Sequence, residues 1–215
     1  QSLQSLIEME SDEKPTLIYS IYRDTDASYV LFATKNGIVK KTSLEEYIKT
    51  KKKTGIAAIS IKDGDELISV SLVKDEPLIL LTKNGMGIKF SSLEIGATSR
   101  VTAGVKGINL NTDDEVVAAL PVRDEKDYLA VFGANGMAKK FASSALPIKK
   151  RSGKGLICHK SEVTAAALIS DEDNLLVCGD TNSICVAAKD ITIGTRQAMG
   201  TIVIKDNSII SVSKV

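Results

Sequence analysis

Short apolar runs separated by polar breaks recur along the whole chain, and their spacing is that of strands. Residues 30–33, 78–81, 129–132 and 175–178 are each an apolar run, and each is followed within a few residues by a turn sequence. The first three turns carry Asn36-Gly37, Asn84-Gly85 and Asn135-Gly136, and the fourth is a degenerate Asn182-Ser183. Asn-Gly between apolar runs predicts a two-residue hairpin, because a type I′ turn requires positive φ at both central residues. The turns lie 48, 51 and 47 residues apart (36 to 84, 84 to 135, 135 to 182). In each unit a second glycine then closes a polar loop: Gly55, Gly104, Gly155 and Gly200. An apolar or alternating run follows it, as at 56–61, 105–110 or 201–204. Next come an acidic cluster, such as Asp63-Gly64-Asp65-Glu66 or Asp113-Asp114-Glu115, and a last apolar run, 67–70 or 116–120.

Four short strands in about 50 residues make a propeller-type blade. Helical periodicity is confined to single turns near 44–47 and 91–95. The pattern predicts one all-β domain over residues 1–215, with repeats near 27–77, 78–127, 128–174 and 175–215 and four-stranded antiparallel blades. Residues 1–26 match the second half of a unit, with a run at 1–7, the acids Glu8, Glu10, Asp12 and Glu13, and a run at 17–21. This half-repeat implies either a chain cut inside a preceding repeat or a segment that completes a blade by strand exchange. A single blade cannot bury its own faces, so neighbours must stack.

With 43% hydrophobic and 26% charged residues, the chain has enough apolar material for a core. No apolar run approaches the ~20 residues of a membrane span, and no basic-then-apolar leader opens the sequence. The three cysteines, Cys158, Cys178 and Cys185, form no CxxC pair, which favours a reduced, intracellular setting. Cys178 and Cys185 stand in apolar runs and are expected in the core.

Charge changes the picture most. Lys and Arg number 28 and Asp and Glu 27, but the two signs are segregated within the repeat. One basic set follows each turn: Lys40, Lys41, Lys89, Lys139, Lys140 and Lys189. The other lies around the second glycine: Lys49, Lys51, Lys52 and Lys53; Arg100 with Lys106 beyond; Lys149, Lys150, Arg151 and Lys154; and Arg196. The acids gather mostly in the late turns. Equivalent positions in successive blades occupy equivalent places on a rim, so these residues predict a curved positive stripe, with the acids on another rim or face. Duplex DNA suits such a stripe, because phosphates recur every ~1.7 Å and contacts to them position the duplex without reading sequence. Aromatics at 4% argue against a stacking platform for single strands or RNA. Against this stands the ordinary use of lysine on solvated faces and at strand edges.

Other chemistry is poorly represented. His159, beside Cys158, is the only histidine and is expected at the surface; no metal site is expected, since spaced partner ligands are missing. No P-loop, nucleophile elbow or dinucleotide fingerprint occurs, so no cofactor is expected.

The run Phe32-Ala33-Thr34-Lys35-Asn36-Gly37-Ile38-Val39-Lys40-Lys41-Thr42-Ser43-Leu44, with Asp65-Glu66-Leu67-Ile68 and Gly104-Val105-Lys106-Gly107-Ile108, resembles the C-terminal domain of the A subunit of bacterial type IIA topoisomerases, DNA gyrase and topoisomerase IV. The resemblance extends over essentially the whole chain. It implies a β-pinwheel, a propeller-like disc whose blades exchange strands, and a basic outer rim that binds and bends duplex DNA in support of supercoiling or strand passage. It further implies a bacterial, cytoplasmic, nucleoid-associated protein that is monomeric as an isolated domain. Catalysis would belong to the ATPase B subunit together with the N-terminal cleavage core that precedes this domain, so this chain itself would be no enzyme. Carried over by position, Arg100, Arg151 and Arg196 fit best as DNA contacts, with Lys53 as a weaker equivalent. The pairs Lys40-Lys41 and Lys139-Lys140 come next. Lys149-Lys150-Arg151-Ser152-Gly153-Lys154-Gly155 resembles the basic glycine-rich box of gyrase, although it stands in the third complete repeat. The fourth repeat departs from the pattern by losing Asn-Gly and most of its lysines. The alternative from another class is a protein-interaction propeller that recruits a partner through its acidic turns or a disc face.

Overall fold

A computed structural model of the chain describes residues 15, 21, 25–49, 55–205 and 208–215. Four hairpins recur: β1 (Tyr29–Thr34) with β2 (Ile38–Ser43), β4 (Leu78–Thr82) with β5 (Met86–Phe90), β8 (Tyr128–Gly133) with β9 (Met137–Ala142), and β12 (Asn174–Gly179) with β13 (Ser183–Ala187). Each first strand also pairs with a later strand of its own unit: β3 (Leu67–Val73), β7 (Val116–Pro121), β11 (Val163–Ile169) and β15 (Ile209–Lys214). The remaining strands are two residues long: β6 (Val105–Lys106), β10 (Leu156–Ile157) and β14 (Thr201–Ile202). These short strands cross to the preceding unit, where β6 pairs with β2, β10 with β5 and β14 with β9. The sheets therefore run β3-β1-β2-β6, β10-β5-β4-β7 and β11-β8-β9-β14. This is an all-β pinwheel of antiparallel blades that exchange strands.

Two expectations need correction. Among the described residues the fourth sheet has three strands, β13-β12-β15, where four were expected. Residues 56–61, expected as a strand, are irregular. The half-repeat at 1–26 lies mostly outside the described residues. The single helical turns appear as expected, as α1 (Glu45–Ile48) and a 3-10 turn at Ser92–Glu94, with equivalents at Ser143–Ala145 and Ala188–Asp190.

The core lies between blades. Along β4, Leu78 and Leu80 join one cluster with Leu31, Ala33, Val39 and Val73 of the first blade, while Ile79 and Leu81 join another with Leu129, Val131 and Phe141 of the third. Successive strand residues face opposite sides, so a strand sandwiched between two neighbours must be apolar throughout, as Leu78–Leu81 is. Ala130 and Phe132 of β8 repeat the arrangement toward Leu175 and Val177. The outer side of the first blade, Val30 and Phe32, is covered by Tyr47 of α1 and by Ala58 and Ile59. The four inner strands line a central cavity of about 460 Å³ through Ser71, Leu120, Ala167 and Val212. No helix among the described residues is long and apolar enough to cross a membrane.

Candidate nucleic-acid interface

The basic residues fall into two structurally different sets. Those following the turns are buried: Lys40, Lys41, Lys89, Lys139 and Lys140 all expose less than 5% of their surface. They were expected on the rim, and the structure corrects that. Alternation along the second hairpin strand sends adjacent lysines to opposite faces, and on each face carbonyls, hydroxyls or acids of the same or the next unit receive the ammonium groups. Lys41 Nζ donates to Ser92 O at 3.1 Å and lies 4.5 Å from the Tyr29 ring. Lys89 Nζ pairs with Glu125 at 2.5 Å. Lys140 Nζ pairs with Asp171 at 2.5 Å, donates to Ala188 O at 2.6 Å and lies 5.1 Å from the Tyr128 ring. Lys40 Nζ reaches Thr42 Oγ1 and Ala58 O. Lys139 Nζ donates to Thr195 O, Arg196 O and Ala198 O at 3.2, 2.6 and 2.5 Å. Burial pushes the Lys139 ammonium down to about 8 and lowers Lys40 and Lys41 as well. A buried ammonium is tolerated only when its donors are satisfied, and here the acceptors are carbonyls of turns and loops, the Thr42 hydroxyl and the acids Glu125 and Asp171.

The second set rides on the loops before the second glycines. The loop of each unit is stitched to the hairpin before it, because Thr98 N donates to Lys41 O at 2.9 Å, Lys149 N to Lys89 O at 2.8 Å and Gly194 N to Lys140 O at 2.9 Å. Arg100, Arg151 and Arg196 stand at one register, each four residues before Gly104, Gly155 or Gly200. Gly104 is required by close approach: a Cβ there would fall 2.3 Å from Val39 O. The arginines are half-buried and braced. Arg100 N donates to Glu46 Oε2 at 3.3 Å, and its Nε lies 3.7 Å from the same atom. Arg151 N donates to Glu94 Oε2 at 3.1 Å, and its guanidinium donates to Lys106 O. The Arg196 guanidinium donates to Ile157 O. Adjacent loops also join directly through Ser152 N to Gly107 O and Asn109 N to Gly153 O, both 2.9 Å. Lys106, Lys149, Lys150 and Lys154 are exposed on this connected surface, and Lys189, alone of the set following the turns, is exposed on the 3-10 turn Ala188–Asp190. Lys49 is exposed on α1's C-terminal side and pairs with Glu45 at 2.5 Å. Lys51, Lys52 and Lys53 lie outside the described residues.

Much of the acid is occupied inside the fold. Asp65 and Asp114 accept from the turn amides Asn36 N at 2.8 Å and Asn84 N at 3.0 Å. Glu66, Lys35, Glu115, Lys83 and Glu162 form a chain of ion pairs at 3.5, 3.1, 3.7 and 3.4 Å that crosses three units. The acids thus cap turns and tie blades, which their clustering alone did not reveal; the recurrence of an Asp 29 or 30 residues after the Asn of each of the first two turns was the available signal.

His159 is also corrected: it is buried, at 1% exposure. Its Nδ1 lies 3.2 Å from both Ser161 N and Ser161 O, and its Nε2 lies 3.1 Å from Met199 O. Burial lowers its pKa. Cys158 is buried and its thiol is pushed up to about 11 by burial. Cys178 is half-buried and Cys185 exposed, against expectation. No group of three or more His, Cys, Asp or Glu among the described residues is arranged to hold a metal.

The family model described as "DNA gyrase C-terminal domain, beta-propeller" matches residues 28–74, 76–123 and 127–158. The chain belongs to the DNA gyrase C-terminal domain family. The DNA gyrase A subunit of Mycobacterium bovis is 31% identical over 208 residues, covering 93% of this chain and 25% of that protein. The DNA gyrase A subunit of Clostridium acetobutylicum is 32% identical over 210 residues, covering 94% of this chain and 25% of that protein. The chain thus spans about a quarter of these gyrase proteins. Two solved structures cover 100% of it: the C-terminal domain of DNA topoisomerase IV, with TM-score 0.91, 25% identity and 70% of that chain, and the DNA gyrase A C-terminal domain, with TM-score 0.86, 26% identity and 74% of that chain. In gyrase-family terms the three matched segments fall on the first three units, and the divergent fourth unit lies beyond them.

Proposed function

We propose that this domain binds duplex DNA along its loop rim and bends it, without itself catalysing a reaction, in support of supercoiling or strand passage by a type IIA topoisomerase. Its partners in that enzyme are the ATPase B subunit and the N-terminal cleavage core that precedes this domain, and its site of action is the bacterial cytoplasm and nucleoid. The observation that carries the reading is the connected surface from Lys106 through Lys149, Lys150 and Lys154 to Arg196. Its lysines are exposed, and its loops are held by backbone hydrogen bonds to the Lys89 and Lys140 carbonyls of the preceding hairpins. Rigid cations suit phosphate positioning. Smoothly bending a 20–30 bp site costs about 1–6 kcal/mol, so contacts from more than one unit are required, and the stitched loops supply them. The five buried lysines are not DNA contacts in this proposal; the backbone carbonyls of Lys41, Lys89 and Lys140 and the ammonium of Lys139 hold the loops that are. The protein-recruiting alternative is weakened because many of the clustered acids already pair with lysines or cap turns. Duplex binding by a Lys149→Glu, Lys150→Glu, Lys154→Glu variant tests the proposal. All three residues are exposed, so the fold is retained, and affinity is expected to fall at least tenfold; unchanged affinity would refute the assignment.

A further inference from the structure

We infer that Ile148 and Ile193 press into the minor groove of the bound duplex, so that apolar wedges as well as charge produce the bend. The inference rests on the DNA-binding reading above. Counting back three residues from Arg100, Arg151 and Arg196 gives Ala97, Ile148 and Ile193. All three hold one structural position, a parallel bridge to Lys41, Lys89 and Lys140 respectively. Their backbones are therefore fixed by the same buried lysine strands that anchor the loops. Ile148 is 56% exposed and Ile193 60%, and neither belongs to a core cluster of the described residues. A scattered surface isoleucine is ordinary. Two at one register, each beside a braced arginine of a basic rim, define a repeated apolar tooth.

The flanking charge selects the occupant. Lys149, Lys150 and Arg151 adjoin the first tooth and Arg196 the second, so a polyanion is the partner drawn to this surface. On duplex DNA the apolar surface lies in the grooves, between the phosphate rails. Isoleucine is among the side chains that wedge between base steps from the minor groove and kink the duplex. The teeth also account for the fourth unit, whose loop lost its lysines yet keeps both Arg196 and the isoleucine. At Ala97 the tooth is only a methyl group, which confines the wedges to the later loops.

The experiment measures log Kd against log salt on a duplex of about 40 bp with end-to-end fluorescence transfer, using the full chain and three double variants. For Ile148→Ser with Ile193→Ser, the salt slope is expected to stay at the parent value. Affinity falls about five- to tenfold per isoleucine at every salt concentration, and the bend shrinks. Ile148→Met with Ile193→Met restores affinity and bend. Ile148→Lys with Ile193→Lys steepens the slope without restoring the bend. Serine variants that bind and bend like the parent, or lysine variants that bend more than it, overturn the wedge while leaving the basic-rim reading intact. A parent chain with no salt dependence overturns that reading, and the wedge with it.

Discussion

Replacing Gly85 with alanine tests whether the exchanged strand couples neighbouring blades. Gly85 has φ of 76°, and a Cβ built there falls 2.2 Å from His159 O and 2.9 Å from its carbonyl carbon. Gly64 is the matched control, with φ of 78° and nothing within 4 Å of its Cβ position. Gly64→Ala carries the left-handed backbone penalty alone, about 1–2 kcal/mol. Gly85→Ala carries the same penalty and must also drive back the His159 peptide. That movement breaks the bonds from Cys158 N and His159 N to Gly85 O, at 2.7 and 3.1 Å, each worth about 0.5–1.5 kcal/mol. It also draws the His159 ring from Met199 O, a third bond of similar size. The excess over the control is therefore about 2–4 kcal/mol. Urea unfolding with linear extrapolation measures both variants. If the two cost the same to within about 1 kcal/mol, the strand joint at Gly85 does not hold the second blade together.

Other consequences follow from the same contacts. Lys140→Met leaves Ala188 O dry while the half-exposed Asp171 rehydrates, so urea unfolding should show a loss of about 2–3 kcal/mol, and a loss below about 0.5 kcal/mol contradicts the pin. His159 has a pKa lowered below its ordinary 6.5 by burial, with Lys139 nearby adding to the effect. The unfolded chain thus binds the proton more readily, so this stability is present above pH 6.5 and is lost as pH falls toward the folded value. Melting scans from about pH 7.5 to 5 should show a decline that His159→Gln abolishes. Glu46→Gln releases Arg100 from a partly exposed pair worth at most about 1 kcal/mol, so duplex affinity measured by anisotropy should rise no more than about fivefold. A fall would mean that Glu46 chiefly orients the loop.

The hairpins and their order were legible in the chain because Asn-Gly turns and apolar runs are local signals. The blade count followed from their recurrence. What the pattern hid was which partner each strand meets. Val105–Lys106 lies next to Gly104 in sequence, yet it pairs with β2 of the preceding unit, a choice made by packing between blades. The burial of Lys40, Lys89 and Lys140 was hidden for a related reason. A lysine reads as surface by its charge, and only carbonyls and acids distant in sequence, such as Glu125 for Lys89 and Ala188 for Lys140, make its burial tolerable. The arginine register before the second glycine was legible. The bracing of its guanidinium groups by Lys106 O and Ile157 O was not, since backbone acceptors leave no mark in sequence.

Whether a braced basic rim bends duplex DNA is tested most directly by fluorescence transfer between the ends of a duplex of about 40 bp, titrated with the chain at two salt concentrations. The ends should approach on binding, and the approach should be lost at high salt. The Lys149→Glu, Lys150→Glu, Lys154→Glu variant should leave the duplex straight. Binding that leaves the parent complex straight, or a bend indifferent to salt, would contradict the basic-rim mechanism.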